Sequence, residues 1–158
     1  MGREIERKFL LASDAWRDAV VRSQRMRQGY LCGNDRASIR VRVDEEGANL
    51  NIKSATLGVE RDEYQYAIPV EEAHALLDTL AGPQVEKTRY WVDVEGWEYE
   101  VDVFEGANAG LVVAELELPS TDADFARPDW LGREVSDDPR YYNTELARNP
   151  YSQWPDAT

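Results

Sequence analysis

The residues best able to do chemistry in this chain come as doublets of like charge, two positions apart. Glu4 and Glu6 are followed by Lys8; later come Arg40 and Arg42, Lys87 and Arg89, and Glu115 and Glu117. Lys53, Arg61, Glu63 and Asp102 sit in similar surroundings. Side chains at i and i+2 of a strand share a face, roughly 7 Å apart, so each doublet sets two equal charges side by side. A solvated sheet face is the plainer alternative, but such faces usually mix Thr, Ser, Gln and Lys with alternating signs. Sorted by sign, the charges form two sets. Glu4, Glu6, Glu63, Asp102, Glu115 and Glu117 are hard oxygen donors with no His or Cys among them, which suits Mg²⁺ or Mn²⁺ rather than zinc. Lys8, Arg40, Arg42, Lys53, Arg61, Lys87 and Arg89 combine guanidinium forks with ammonium points, a grip for phosphate oxygens. Burying one unpaired ion costs several kcal/mol, so both sets belong in one cavity only with water, metal and a highly charged ligand. A linear polyphosphate chelating a divalent metal satisfies both.

These charges need elements that aim them inward, and period-two alternation supplies them. Strands are expected at 4–11, 25–31, 37–43, around 50–53, and at 60–68, 85–94, 97–104 and 111–118. In the third, Ser38, Arg40 and Arg42 oppose Ile39, Val41 and Val43. In the seventh, Glu98, Glu100 and Asp102 oppose Trp97, Tyr99, Val101 and Val103. A short helical segment after Ser13 or Asp14 holds Trp16, Ala19 and Val20, and 70–81 reads as an amphipathic helix stopped by Gly82-Pro83. A final helix starts at Asp138-Pro139 and ends at Asn149-Pro150. The acidic stretch 122–138 reads as a solvated connection, and 150–158 as a trailing C-terminal tail. Trp91, Trp97, Tyr64 and Tyr66 are core candidates, and His74, beside a helix's apolar stripe, has surface or packing duty. The short links favour antiparallel pairing. The expected fold is α+β, mostly β: an eight-stranded antiparallel closed β-barrel with a few flanking helices, in one domain spanning 1–149.

Composition narrows the function. The chain has 158 residues and a net charge of −13, a field that disfavours nucleic acid and anionic membranes. Cys32 is the single cysteine, so no intrachain disulfide forms, which fits a reducing cytoplasm. No apolar run reaches membrane-spanning length. With one histidine, His-based triads are improbable. No Walker-type loop is present, leaving the phosphate grip to side chains.

An ordered series of motifs resembles the CYTH superfamily, the triphosphate tunnel metalloenzymes, over nearly the whole chain. It comprises Glu4-x-Glu6-x-Lys8, Arg25 to Leu31, Ile39 to Arg42, Lys53, Arg61-x-Glu63-Tyr64, Val85 to Tyr90, Tyr99 to Phe104, Ala114 to Glu117, Trp130 to Val135 and Arg140 to Asn143. The resemblance implies a tunnel that binds a triphosphate and hydrolyses or rearranges it with Mg²⁺ or Mn²⁺. By that analogy the basic residues hold phosphate oxygens and the acidic ones supply metal ligands, directly or through water. It also implies an inorganic triphosphatase in which Tyr30 and Lys87 prepare the attacking water. The rival activities are nucleoside or thiamine triphosphatase and class IV adenylate cyclase. A polyphosphate- or nucleotide-binding module without turnover is the non-enzymatic alternative, and a homodimer is the expected assembly.

Overall fold

The computed structural model describes residues 2–55 and 59–155. Its strands are β1 (Gly2–Leu11), β2 (Val20–Gly33), β3 (Ala37–Val43), β4 (Ala48–Ser54), β5 (Glu60–Ile68), β6 (Gln84–Val94), β7 (Trp97–Phe104), β8 (Val112–Glu117) and β9 (Leu131–Glu134). Helix α1 spans Val70–Thr79 and α2 Asn143–Arg148. The sheet runs β5-β4-β3-β2-β6-β7-β8-β1-β9, and β5 pairs again with β1. Eight antiparallel strands therefore close into the expected ring. A ninth, β9, joins the β1 edge beyond the β5 pairing, at Phe9 and Leu11. Gly132 makes that approach possible: a Cβ there would lie 2.8 Å from the Leu10 carbonyl oxygen.

Turn chemistry sets the registers. Glu95 and Gly96 both have positive φ, the two-residue hairpin turn that matches strand twist. It pairs Val94 with Trp97, and the same register carries Trp91 opposite Glu100 and Arg89 opposite Asp102. At the β3–β4 turn, Asp44 Oδ1 accepts from the backbone N–H groups of Glu46 and Gly47, an Asx turn.

The apolar mass lies largely outside the ring. Phe9, Trp16, Val92, Tyr99, Val101, Ala114, Leu116 and Trp130 pack on one outer wall. Helix α1 covers Val41 on another with Ala73 and Leu77. A third cluster is different: Val85, Phe104 and Val113, from the strand faces that also carry Lys87, Asp102 and Glu115, meet Tyr141, Leu146 and Trp154. The C-terminal segment thus corks one end of the interior with apolar side chains.

Several expectations are corrected here. Val20 begins β2 rather than ending a helix; the preceding turn is a 3-10 segment at Ala15–Ala19. The expected single helix from 138 is split into a 3-10 turn at Pro139–Tyr141 and α2, because Tyr142 is extended. The stretch 122–138 is not merely solvated: it contains β9, and Trp130, Val135 and Ser136 are buried. The tail does not trail off before Pro155, since Trp154 packs edge-on against Tyr141 and Tyr151. Tyr64 and Tyr66 are 43% and 49% exposed and so are not core; on their face of β5 it is Ile68 that packs into the cluster under α1.

Leu146 is fully buried in the cork, so Leu146→Ala should cost about 2–4 kcal/mol. Urea unfolding would measure it.

Candidate active site

The inward faces of the ring enclose a cavity of about 210 Å³. Its wall includes Glu4, Glu6 and Lys8 of β1, Tyr30 of β2, Arg40 and Arg42 of β3, and Lys53 of β4. Arg61 and Glu63 of β5, Arg89 of β6, Glu100 of β7, and Glu115 and Glu117 of β8 complete it, with Tyr142, Asn143 and Thr144 at the corked end. Thus eleven of the thirteen expected charged residues and Tyr30 reach one space. Lys87 and Asp102 stand behind the wall, each essentially without exposure.

That buried pair anchors the site. Lys87 Nζ donates to Asp102 Oδ2 at 2.7 Å and to Asn143 Oδ1 at 3.2 Å. Arg89 grips the same carboxylate with Nε and Nη2, at 2.7 and 2.9 Å. It also reaches Glu115 at 2.8 Å and Glu100 at 3.1 Å. Burial alone would raise the Asp102 pKa, yet Arg89 and Lys87 hold it below the ordinary carboxylate value. Asp102, expected among the metal ligands, is here the counter-ion of two cations. Lys87 is lowered to about 7, chiefly by burial, with Arg89 and Arg42 adding to the shift. No hydrogen bond joins Tyr30 to Lys87 among the described residues.

The carboxylates do gather. Oxygens of Glu6, Glu100 and Glu115 lie within 4.8 Å of one another. Burial, then the Glu115 charge, raises Glu6 to about 8. Glu115 is held well below its ordinary value, because Lys8, Arg89 and Lys87 outweigh its burial. Lys8 lies 3.3 Å from Glu115 and donates to the Tyr141 carbonyl at 3.1 Å. On the other side Lys53 bridges Glu4 at 3.0 Å and Glu63 at 3.7 Å. Glu117 is raised by partial burial and by its acidic neighbours Glu100 and Glu63.

The cations divide by occupation. Lys8, Lys53, Lys87 and Arg89 already face carboxylates, whereas no ion pair involves Arg40, Arg42 or Arg61 among the described residues. The buried Nε of Arg40 has no hydrogen-bond partner. Arg42 donates to Gln28 Oε1 at 3.0 Å, and burial beside Arg40 and Arg89 pushes it down to about 9. Arg61 lies over the Tyr142 ring at 5.3 Å, as does Lys8 at 5.6 Å. Among the described residues, then, three arginines without a direct ion pair share one cavity with a cluster of carboxylates.

Comparison with known proteins now places the chain. A family model described as the CYTH domain matches residues 2–142. The chain belongs to the CYTH family. A relative from Acetivibrio thermocellus named inorganic triphosphatase is 46% identical over 155 residues, 98% of this chain and 99% of its own. Another of that name, from Nitrosomonas europaea, is 39% identical over 149 residues, covering 91% of this chain and 96% of its own. The crystal structure of the inorganic triphosphatase NE1496 aligns with a TM-score of 0.68 at 37% identity, over 91% of this chain and 97% of that one.

Within this CYTH domain, sequence reasoning missed Glu100, Tyr142 and Asn143 as parts of the site. Glu100 shares its strand face with Asp102, so the alternation that found one could have found the other. Tyr142 and Asn143 stood in the last of the resembling motifs but with no role attached, since they reach the cavity only because the C-terminal segment folds back over the barrel end.

The raised Glu6 carboxyl makes a pH prediction for the metal-free protein. A group whose folded pKa exceeds its unfolded value binds its proton more tightly when folded. Its stabilising contribution is therefore present at low pH and lost as pH rises from the ordinary 4.5 through about 8. Denaturant unfolding in chelator should show wild type losing ground to Glu6→Gln between about pH 5 and 9. The contribution of Lys87, which grows above about pH 7, is common to both proteins.

Proposed function

We propose that this protein hydrolyses inorganic tripolyphosphate to pyrophosphate and phosphate, with a divalent cation, Mg²⁺ or Mn²⁺. The observation that carries this reading is the pairing, in one cavity, of the Glu6, Glu100 and Glu115 cluster with Arg40, Arg42 and Arg61, which make no direct ion pair among the described residues. The relatives' names agree with it. The donor set fits such a cation, being all oxygen and close enough for shared coordination. Glu6, Glu100 and Glu115 would hold it, with Glu4, Glu63 and Glu117 reaching it directly or through water. Bound there, the cation would neutralise phosphoryl charge and polarise the scissile anhydride.

The chain's own groups supply the rest. Arg40, Arg42 and Arg61 would take the phosphate oxygens, helped by Lys8, Lys53 and Arg89, and hold the chain in line for attack. Water oxygen bonds to the terminal phosphorus as the bridging P–O bond breaks, and the leaving oxygen departs on pyrophosphate. Tyr30 on the wall is the candidate to meet that water, and Lys87, titrating near neutrality behind the wall, the candidate to accept its proton in turn. This reading places the protein in the cytoplasm, as a homodimer acting on a small molecule rather than on nucleic acid or membrane. Among the described residues, no helix is long and apolar enough to cross a membrane.

A second reading has its own observation. A wider cavity of about 550 Å³ adjoins the first and shares Tyr30, Ser38, Arg61, Tyr142 and Thr144 with it. That space would admit an organic group on the triphosphate, as in a nucleoside or thiamine triphosphate.

Product release from tripolyphosphate, ATP and thiamine triphosphate, each with Mg²⁺, Mn²⁺ or chelator, tests these readings. We expect equal yields of phosphate and pyrophosphate from tripolyphosphate, none in chelator, and a loss of about 100-fold in kcat/KM for Arg42→Ala. Cyclic AMP from ATP would replace hydrolysis with cyclase chemistry, and no turnover on any substrate would leave a binding module. Undiminished turnover in Tyr30→Phe would remove Tyr30 from the mechanism.

A further inference from the structure

Trp91 stands at a place where packing alone does not explain its contacts. It lies on the β6 face of Lys87 and Arg89, opposite Glu100 across the hairpin register. Its indole Nε1–H donates to Glu100 Oε2 at 3.2 Å. The other oxygen, Oε1, faces Arg89 Nη1 at 3.1 Å. Glu100 is thereby held at both ends while one of its oxygens stays within 4.8 Å of an oxygen of Glu6 and one of Glu115. The exposed Arg22 lays its guanidinium over the indole, 3.7 Å from the ring centroid, and so restrains the ring from the solvent side.

The choice of donor matters. An indole N–H is donor-only and uncharged, so it orients Glu100 Oε2 without adding to the charge that Arg89 already offsets at Oε1. A Lys or Arg in its place would compete with a cation for the same negative charge. Partners just outside a metal's ligands typically tune its affinity 10- to 100-fold.

We infer that Trp91 is a positioning residue for the divalent-cation cluster: its indole N–H, braced by Arg22, aims Glu100 at the point shared with Glu6 and Glu115. The inference rests on the metal-centre reading above, and Glu6→Gln separates the two. Mn²⁺ binding by calorimetry, without substrate, should weaken about 10-fold in Trp91→Phe, which keeps an aromatic ring and loses the donor. Adding Trp91→Phe to Glu100→Gln should weaken it little further, because both break one interaction. Independent, additive losses would overturn the inference. So would a Trp91→Phe protein that loses thermal stability and turnover yet binds Mn²⁺ as wild type does while Glu6→Gln does not. Unchanged binding in both Glu6→Gln and Trp91→Phe would overturn the metal centre and the inference with it. Should Trp91→Phe not fold, the wild-type protein carries the test. Of its five indole N–H resonances, the one perturbed by Arg22→Ala should move on adding Mg²⁺, and a stationary resonance would overturn the inference.

Discussion

Arg89 is the residue through which the interior holds together. Its guanidinium binds Asp102 with two nitrogens and extends to Glu115 and Glu100, so one side chain joins β6 to β7 and β8. Isolated burial of any of these ions would be strongly unfavourable, and breaking a buried pair costs more than the pair contributes. The shared geometry resolves this, since every carboxylate oxygen that Arg89 occupies also has its charge offset. Asp102 in turn makes room for Lys87, which could not otherwise remain inside with no exposure. The arrangement follows from a backbone fact, the two-residue turn at Glu95-Gly96 that sets Arg89 opposite Asp102.

A charged interior forces the apolar residues elsewhere. The alternate faces of the same strands carry Phe9, Val92, Tyr99, Val101 and Leu116 to the outside, where they would contact water if nothing covered them. Trp16 from the 3-10 turn, Trp130 from the segment before β9, and helix α1 over β3 supply that cover. The helices are therefore consequences of the charged tunnel. The cork is the exception, because there the inward faces themselves turn apolar at Val85, Phe104 and Val113.

Much of this was legible in the chain. Alternation located eight strands and sorted Glu4, Arg40, Lys53 and Glu115 to one face, because a period of two maps directly onto sidedness; the doublets of like charge then argued that this face points inward. Two kinds of fact escaped it. Sidedness says nothing of depth, so Asp102 read like Glu115, although Arg89 and Lys87 absorb the first and the second opens onto the cavity. Long-range return is equally silent: 122–138 looks like a solvated connection and 150–158 like a trailing tail, yet Trp130 and Trp154 are buried and hold those segments down. Tyr142 interrupts the expected helix because its ring lies near Lys8 and Arg61 and its hydroxyl donates to the Ser136 carbonyl, contacts set by tertiary structure and not by local propensity.

The same interior is stable only up to a point, and where stability stops is informative. Asp102, Glu115 and Arg89 are each held in the charged form by neighbours that outweigh burial. Glu6 and Arg42 are displaced the other way, toward neutrality, by burial and by like charge. A fold under selection for stability alone would replace such residues, since neutral groups of similar size would relieve the repulsion. Their opposite signs within one cavity mean that a single ligand carrying both a cation and an anion would reverse both displacements together. The imbalance of these two displacements thus matches in sign the charges that a cation-bearing polyphosphate, the substrate class proposed above, would bring. Such a ligand would bind at the place where the chain's internal ion pairs give out.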